Sequence, residues 1–192
     1  MVKHALILLA VLVLALAAAV QGMASAQIVY IVDHEWAQIF INQDGTIDLI
    51  YNITLTTVSG TIHGFYVGQP KSDFTIGQAV DQYGNSLGVT DASSSGDYRV
   101  DVTLNQPLTS GNSVWFTVTT NVAGLISNDT TNPGNFGMQY VPQWISDVPI
   151  NDVRIQIVLP QGVTLVMLKL QRTFTTEHSW LKAIWLFTGK NL

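Results

Sequence analysis

The chain alternates between hydrophobic and polar residues over several short stretches. The clearest one covers residues 47–55, where Ile, Leu and Tyr alternate with Asp, Asn and Thr. Because successive side chains of a β-strand point to opposite faces, this pattern predicts a strand with one face in a core and the other in solvent. Similar alternation predicts strands at 98–104, 114–118 and 153–159, and weaker patterns indicate strands at 61–67, 74–80 and 136–141.

Turn residues separate these stretches. Residues 28–41 are rich in β-branched and aromatic side chains, and Asn42-Gln43-Asp44-Gly45 follows them directly. An Asp-Gly pair between two strand-like runs is typical of a hairpin, so the first two strands are predicted to be neighbours. Residues 107–112 predict a further turn, and Pro160 ends the strand before it because proline cannot donate to a ladder.

No stretch after the N-terminal apolar run shows sustained helical periodicity before residue 163. Seven or eight short strands joined by Gly-, Asn-, Ser- and Pro-rich turns are typical of a sandwich. We therefore expect an all-β protein, an immunoglobulin-like antiparallel β-sandwich after an N-terminal signal helix, with a closed barrel as the alternative. The predicted division is a signal peptide at 1–26, the sandwich at 27–165 and an atypical tail at 166–192.

The N-terminal segment predicts export. Lys3 and His4 precede an unbroken apolar run from Ala5 to Val20, and Ala24-Ser25-Ala26 supplies the small residues of a cleavage site. We expect cleavage before Gln27, which places the protein outside the cell or on its surface. The alternative is an uncleaved membrane anchor, because the run is only slightly shorter than the roughly 20 residues that span a bilayer.

Composition narrows the function classes. The chain has no cysteine, so no disulfide stabilises it, and only 11% of its residues are charged. Residues 27–165 hold 12 acidic side chains against Lys71, Arg99 and Arg154. Nucleic acid is excluded as an expected partner, because binding it requires a clustered basic face.

The tail has a different character. Residues 166–192 are net basic and lose the clean period of two. Trp180, Ile184 and Phe187 fit one face of a short amphipathic helix, which with the basic residues would suit an anionic membrane surface. The alternatives are two final strands of the sandwich, or disorder.

No catalytic residue, cofactor site or metal site is predicted. Asp33, His34 and Glu35 are adjacent, but a strand places 33 and 35 on one face and 34 on the other, so the three cannot converge on one ion. Residues 91–97, with Asp81 and Asn85, carry oxygen donors suited to calcium, yet they lack the dense acidic loop that calcium motifs use. We therefore expect a solvated loop there.

Two kinds of candidate site remain. Asn52 and Asn128 begin Asn-x-Thr sequons, which matter in an exported chain that meets a glycosyltransferase. Trp36, Trp115 and Trp144 are candidates for stacking on sugar rings, because a flat apolar ring suits the C–H face of a pyranose. Packing into the core is the alternative for each tryptophan.

Two stretches carry a resemblance to a family. Residues 44–54 (DGTIDLIYNIT) and 153–162 (VRIQIVLPQG) are similar to the strand segments of the extracellular β domains of predicted archaeal and bacterial membrane proteins of unknown function. The resemblance covers these two short segments and implies a β-sandwich outside the cell, followed by a C-terminal transmembrane anchor. Since the chain ends at Leu192 with no such helix, we expect a truncated or frame-shifted reading frame.

Three functions from different classes follow. The first is a non-catalytic secreted or cell-surface module with a structural, adhesive or envelope-assembly role, whose partners are envelope components or copies of itself. The second is a glycan- or solute-binding domain that uses the aromatic residues. The third is an envelope hydrolase, for which Asp33 and Glu35 are the only local acid pair in the sequence.

Overall fold

The computed structural model of the chain describes residues 27–142, 148–174 and 179–189, all as strands, turns and irregular segments. Within these ranges no helix is long and apolar enough to cross a bilayer. The predicted signal helix lies outside the described residues. The strands in chain order are β1 Val29–Ile41, β2 Ile47–Ser59, β3 Thr61–Gly68, β4 Phe74–Asp81, β5 Gly88–Asp91, β6 Arg99–Thr109, β7 Ser113–Val122, β8 Ile126–Asn128, β9 Asn135–Tyr140, β10 Val153–Val158, β11 Val163–Phe174 and β12 Ser179–Gly189.

The strands form three sheets. The largest has the order β10-β1-β2-β7-β4, the second β11-β12-β9-β8 and the third β3-β6-β5. Neighbouring strands are antiparallel except for β1 and β10, which run in the same direction. The predicted all-β class with antiparallel sheets is therefore confirmed, with this one parallel pair added at the edge of the five-stranded sheet.

The strands predicted from alternation are present. Residues 47–55 lie in β2, whose buried and exposed side chains alternate along its length as expected. The Asn42–Gly45 turn joins β1 to β2, with Gly45 at a φ of +79° and its N–H donating to the carbonyl of Asn42 over 3.1 Å. Asp-Gly chemistry therefore sets the hairpin that the sequence predicted.

The core lies between the inner face of the five-stranded sheet and the other two sheets. Phe65 of β3 meets Phe116 of β7 edge-on at 6.2 Å between ring centroids. On the other side, the Tyr140 hydroxyl of β9 donates to the Tyr51 hydroxyl of β2 over 2.6 Å. All three sheets therefore share one buried cluster, and the layered sandwich has no cysteine to hold it.

Two irregularities correct the sequence predictions. β6 continues through Pro107 to Thr109, so the turn predicted at 107–112 is confined to the residues around Gly111. Pro107 is tolerated because the β3–β6 register jumps from Ile62↔Leu108 to Gly64↔Thr103, which leaves the intervening part of β6 outside the ladder. A residue without an N–H loses nothing at such a position.

The C-terminal strands decide how the tail folds. β11 begins at Val163 and continues across residue 166, and β12 pairs antiparallel with both β11 and β9. The interpretation of residues 180–187 as an amphipathic helix is wrong, because this segment is extended and pairs with β9 from Ala183↔Tyr140 onwards. The alternative of two final strands is confirmed.

Candidate functional site

The outer face of the five-stranded sheet, the side away from the core, carries several side chains that suit binding. Period-two alternation places polar and aromatic residues on this face while their neighbours pack inward. The residues at the centre of this outer face are His34, Trp36 and Gln38 on β1, Asn52 and Thr54 on β2, Trp115 and Thr117 on β7, and Arg154 and Gln156 on β10.

Register aligns these residues in rows across the strands. Trp36 is opposite Asn52 on one side and Arg154 on the other. In the adjacent row, His34 is opposite Thr54, which is opposite Trp115. Two of the three predicted stacking tryptophans, Trp36 and Trp115, therefore share one face, and strand spacing and rise place their Cα atoms about 12 Å apart. Trp144 lies outside the described residues.

Trp36 is held by three neighbours. The His34 ring stacks on it with centroids 4.2 Å apart and planes 18° from parallel, and the Arg154 guanidinium lies 4.5 Å from its ring centroid. Its indole N–H donates to Asp152 over 3.0 Å. Because its ring faces contact protein groups, Trp36 forms a wall of the site rather than its open stacking surface.

His34 is also fixed from the neighbouring strand. Its Nε2 lies 2.9 Å from Asn52 Oδ1 and 2.9 Å from Thr54 Oγ1. Nε2 is therefore hydrogen-bonded to the Asn52 side-chain amide on β2. This bond orients the imidazole that stacks on Trp36, so the row is organised by β2 as well as by β1.

The charges beside Trp36 balance each other. Arg154 forms a 2.8 Å ion pair with Asp152. The hydrogen bond from Arg154, followed by the one from Trp36, lowers the pKa of Asp152 below its usual 3.8, so the carboxylate stays ionised at neutral pH. The edge of the face therefore carries an ion pair with no net charge. Its carboxylate accepts the Trp36 indole N–H, and its guanidinium lies over the Trp36 ring.

A groove of about 430 Å³ runs along this edge. Gln38 Nε2 donates to Gln156 Oε1 over 2.7 Å, which links β1 to β10 on the solvent side. The groove lining combines one indole with carboxamides and one guanidinium: Trp36, Ala37, Gln38, Asn52, Arg154, Ile155 and Gln156. This combination provides both an apolar wall and several hydrogen-bonding groups.

Trp115 is the open aromatic surface of the outer face. Its side chain is 41% exposed. Its backbone N–H donates to Gln82 Oε1 over 3.0 Å. Directly opposite it on β2 lies Thr54, whose hydroxyl is hydrogen-bonded to His34. An exposed indole next to hydroxyl and amide groups is suited to contact with a flat ligand.

The two sequon asparagines occupy different surroundings. Asn52 lies in the middle of β2 and its amide is engaged by His34. Asn128 is exposed at the end of β8, next to a turn in which Asp129 accepts hydrogen bonds from the backbone of Thr131 and Asn132. The second site is therefore the more open of the two.

The prediction that Asp33 and Glu35 share a face is wrong. The β1–β2 register shifts between Val32 and His34, which makes Asp33 the extra residue of a bulge. Asp33 consequently accepts a hydrogen bond from Thr56 on the outer face, while Glu35 lies in the core with 2% exposure. The bulge separates the only local acid pair that the sequence offered for hydrolysis.

Glu35 belongs to a buried polar cluster that the sequence did not indicate. Burial raises the pKa of Tyr51, and the charge of Glu35 raises it further. Burial raises the pKa of Tyr140 as well, and the nearby Tyr51 and Glu35 raise it further by smaller amounts. Alternation alone marks Tyr51 as a core residue, but only the tertiary packing of β9 brings the second phenol to it.

The aspartates of the acidic loops accept hydrogen bonds from the backbone of their own loops. Asp91 Oδ1 accepts from the N–H of Ser93 over 2.9 Å, and Asp81 holds the N–H groups of Tyr83 and Asn85 at the same distance. Among the described residues, no three His, Asp or Glu side chains are close enough together to share a metal ion. The geometry fits turns stabilised by aspartate.

A second groove, of about 590 Å³, lies where the start of β1 passes β3 and β6. Tyr30 meets Phe65 edge-on at 6.1 Å, and Phe65 stacks on Tyr66 at 5.8 Å. Arg99 lies 5.5 Å from the Tyr66 ring and forms a 3.3 Å ion pair with Asp101. This groove is mostly apolar, in contrast to the amide-lined groove beside Trp36.

Comparison with known proteins bears on the fold. No family model matches the chain, and no curated protein matches it. Among solved structures it is similar to an M1 zinc metallopeptidase from Deinococcus radiodurans, with 11% identity, a TM-score of 0.50, and coverage of 85% of this chain and 43% of that one. It is also similar to native yeast LTA4 hydrolase, with 8% identity, a TM-score of 0.55, and coverage of 82% and 29%.

These likenesses concern architecture. At 8–11% identity they show that the same arrangement of strands occurs in other proteins. The chain spans less than half the length of each of these solved structures. What is shared is thus one β portion of longer chains.

Proposed function

We propose that this protein is a non-catalytic module, exported to the cell surface or beyond, that contacts other envelope components through the outer face of its five-stranded sheet. The observation that carries the proposal is the row arrangement on that face, where exposed Trp115 and the groove beside Trp36 flank a set of hydrogen-bonding side chains. The leader-like pattern at 1–26 supports the export part of the proposal.

The roles of the carboxylates support a non-catalytic module. Asp44, Asp81 and Asp91 each accept hydrogen bonds from residues of their own turn. Asp152 is paired with Arg154, and the bulge at Asp33 turns that side chain away from Glu35. Each of these carboxylates thus stabilises the local structure, and a protein that only binds other components does not need them as catalytic groups.

Co-sedimentation with envelope particles tests the proposal. The full-length protein is incubated with insoluble envelope material of the source organism, and bound protein is measured after centrifugation. We expect saturable binding that Trp115→Ala weakens, while Tyr66→Ala, which removes an aromatic ring of similar exposure from the three-stranded sheet, leaves it unchanged. Absence of binding, or binding that both variants retain in full, contradicts the proposal.

A further inference from the structure

The outer face presents a chemical pattern more specific than general adhesion. Trp115 offers an exposed indole, and the groove beside Trp36 offers carboxamides and a guanidinium. We propose that this face binds a neutral oligosaccharide of pyranoses with equatorial substituents, which lies across the strands from Trp115 to the groove. The proposal rests on the proposed function and names the ligand class of the same surface.

The two halves of the face supply the two interactions that sugars use. The exposed ring of Trp115 suits the C–H face of a pyranose with equatorial substituents, because that face is flat and apolar. Gln38, Gln156 and Arg154 supply donors and acceptors for ring hydroxyls at the other end. A ligand with both an apolar face and a hydroxyl rim satisfies both halves.

The middle of the face is already organised for such a ligand. His34 is bonded to Asn52 and Thr54 and stacks on Trp36. Side chains held in this way lose little rotational freedom when a ligand arrives, which lowers the entropic cost of binding. The separation of about 12 Å between Trp36 and Trp115 favours an oligosaccharide over a single sugar.

Charge favours a neutral glycan. Asp33 and Asp48 lie on the outer face, where they accept hydrogen bonds from Thr56 and Asn121. Among the described residues, Arg154 is the only lysine or arginine on this face, and Asp152 neutralises it. A sulfated or phosphorylated polymer would meet a net acidic surface, which opposes its binding.

Isothermal titration calorimetry of the full-length protein tests the ligand class. The probes are chitohexaose and cellohexaose, with a heparin hexasaccharide as the anionic comparison. We expect binding of at least one neutral probe, a loss of about tenfold in affinity for Trp115→Ala, and a smaller loss for Trp115→Phe. Tyr66→Ala serves as the matched control and is expected to bind like the unaltered protein, and thermal melts confirm that each variant is folded.

No binding of either neutral probe, stronger binding of the heparin fragment, or equal affinity in Trp115→Ala would overturn the proposal. The sedimentation assay distinguishes failure of the glycan proposal from failure of the proposed envelope-contact function. Loss of binding to periodate-treated envelope particles, with retention after protease treatment, supports a glycan ligand. The reverse pattern refutes the glycan and leaves the contact function intact, while no binding to untreated particles refutes both.

Discussion

At the scale of single residues, polar side chains on the outer face and in the core find their hydrogen-bond partners in different ways. On the outer face, side chains bond laterally across strands, as Gln38 does with Gln156 and Asn121 with Asp48. In the core, Tyr51 and Tyr140 satisfy each other through one short hydrogen bond. The core pair is the more costly to disturb, because a buried hydroxyl that loses its partner has no water to replace it.

Tyr140→Phe is therefore expected to destabilise the protein by about 1–2 kcal/mol. The substitution keeps the ring and removes the hydroxyl that donates to Tyr51. Urea unfolding followed by circular dichroism measures the effect. The control is Tyr83→Phe, at a side chain that is 79% exposed, where we expect a change within about 0.5 kcal/mol. Equal effects of the two substitutions would show that the buried hydroxyl pair contributes no specific stability.

The accessibility of the two sequons gives a second prediction at this scale. In a eukaryotic secretory host, we expect glycosylation at Asn128, which is exposed beside a turn, and little at Asn52, whose amide is bonded to His34 in a central strand. Mass spectrometry of secreted Asn128→Gln and Asn52→Gln measures occupancy. A glycan mass shift that survives Asn128→Gln and disappears in Asn52→Gln would reverse this assignment.

At the scale of strands, alternation predicted the elements and the Asp-Gly turn predicted the β1–β2 pair, but partners that are distant in sequence were not predicted. β2 is recognisable from period two alone, because each side chain's face depends only on its position in the strand. The parallel pairing of β1 with β10 joins the first strand to one near the other end of the chain, and no local pattern marks such a partner. The Asp152–Arg154 pair beside Trp36 was missed for this reason, since only that pairing brings it to the site.

The bulge in β1 limited the prediction in a different way. A single extra residue at Asp33 shifts the alternation, so side chains on its two sides no longer follow one period. Whether the Glu35 side chain points to the core or to solvent therefore depends on a backbone irregularity that the residue types do not reveal. By contrast, Trp115 follows the uninterrupted period of β7, and its outward position agrees with the sequence pattern.

Close packing of strands around β6 gives a prediction about glycine. A Cβ at Gly64 of β3 would lie 2.5 Å from the backbone carbonyl oxygen of Val102, whereas a Cβ at Gly88 of β5 would lie 3.4 Å from Thr103 Cβ. Both glycines are opposite Thr103, on the two sides of β6. They therefore form a matched pair in the same sheet.

Gly64→Ala is expected to cost about 1–3 kcal/mol because the backbone of β3 or β6 must move to admit the methyl group. Gly88→Ala is expected to stay within about 0.5 kcal/mol, since its new contact is an ordinary one. Chemical unfolding of both variants measures the difference. A cost at Gly88 as large as that at Gly64 would show that the loss of glycine itself, and not the close approach to Val102, limits the sheet.

At the scale of the whole molecule, hydrogen-bonded aspartates in turns and buried phenols in the core have pKa values shifted in opposite directions. Hydrogen bonds within turns lower the pKa of Asp44, bonded by Thr46, and of Asp129, bonded by Asn132 and then by the backbone of Thr131. Burial raises the pKa of the core phenols Tyr51 and Tyr140. Folding therefore lowers the pKa of these two aspartates and raises the pKa of these two phenols, and both shifts favour the folded state at neutral pH.

The pH dependence of stability follows from the sign of each shift. A carboxylate with a lowered pKa stabilises the fold above its unfolded value of 3.8, and this contribution is lost as the pH falls below that value. A phenol with a raised pKa stabilises the fold below its unfolded value of 10, and its contribution is lost as the pH rises through the folded value. We expect a broad plateau of melting temperature at intermediate pH, with a decline on each side.

Thermal melts across this pH range, with two variants, separate the two limbs. Asp44→Asn removes one titrating group from a turn and should make the acid limb shallower, with no effect on the alkaline limb. Tyr140→Phe should lower the plateau and reduce the additional loss above pH 10, because the variant has one fewer buried phenol to ionise. An alkaline limb with the same depth in both variants would mean that groups other than the Tyr51–Tyr140 pair govern it, and the core cluster would then contribute packing without a pH-dependent role.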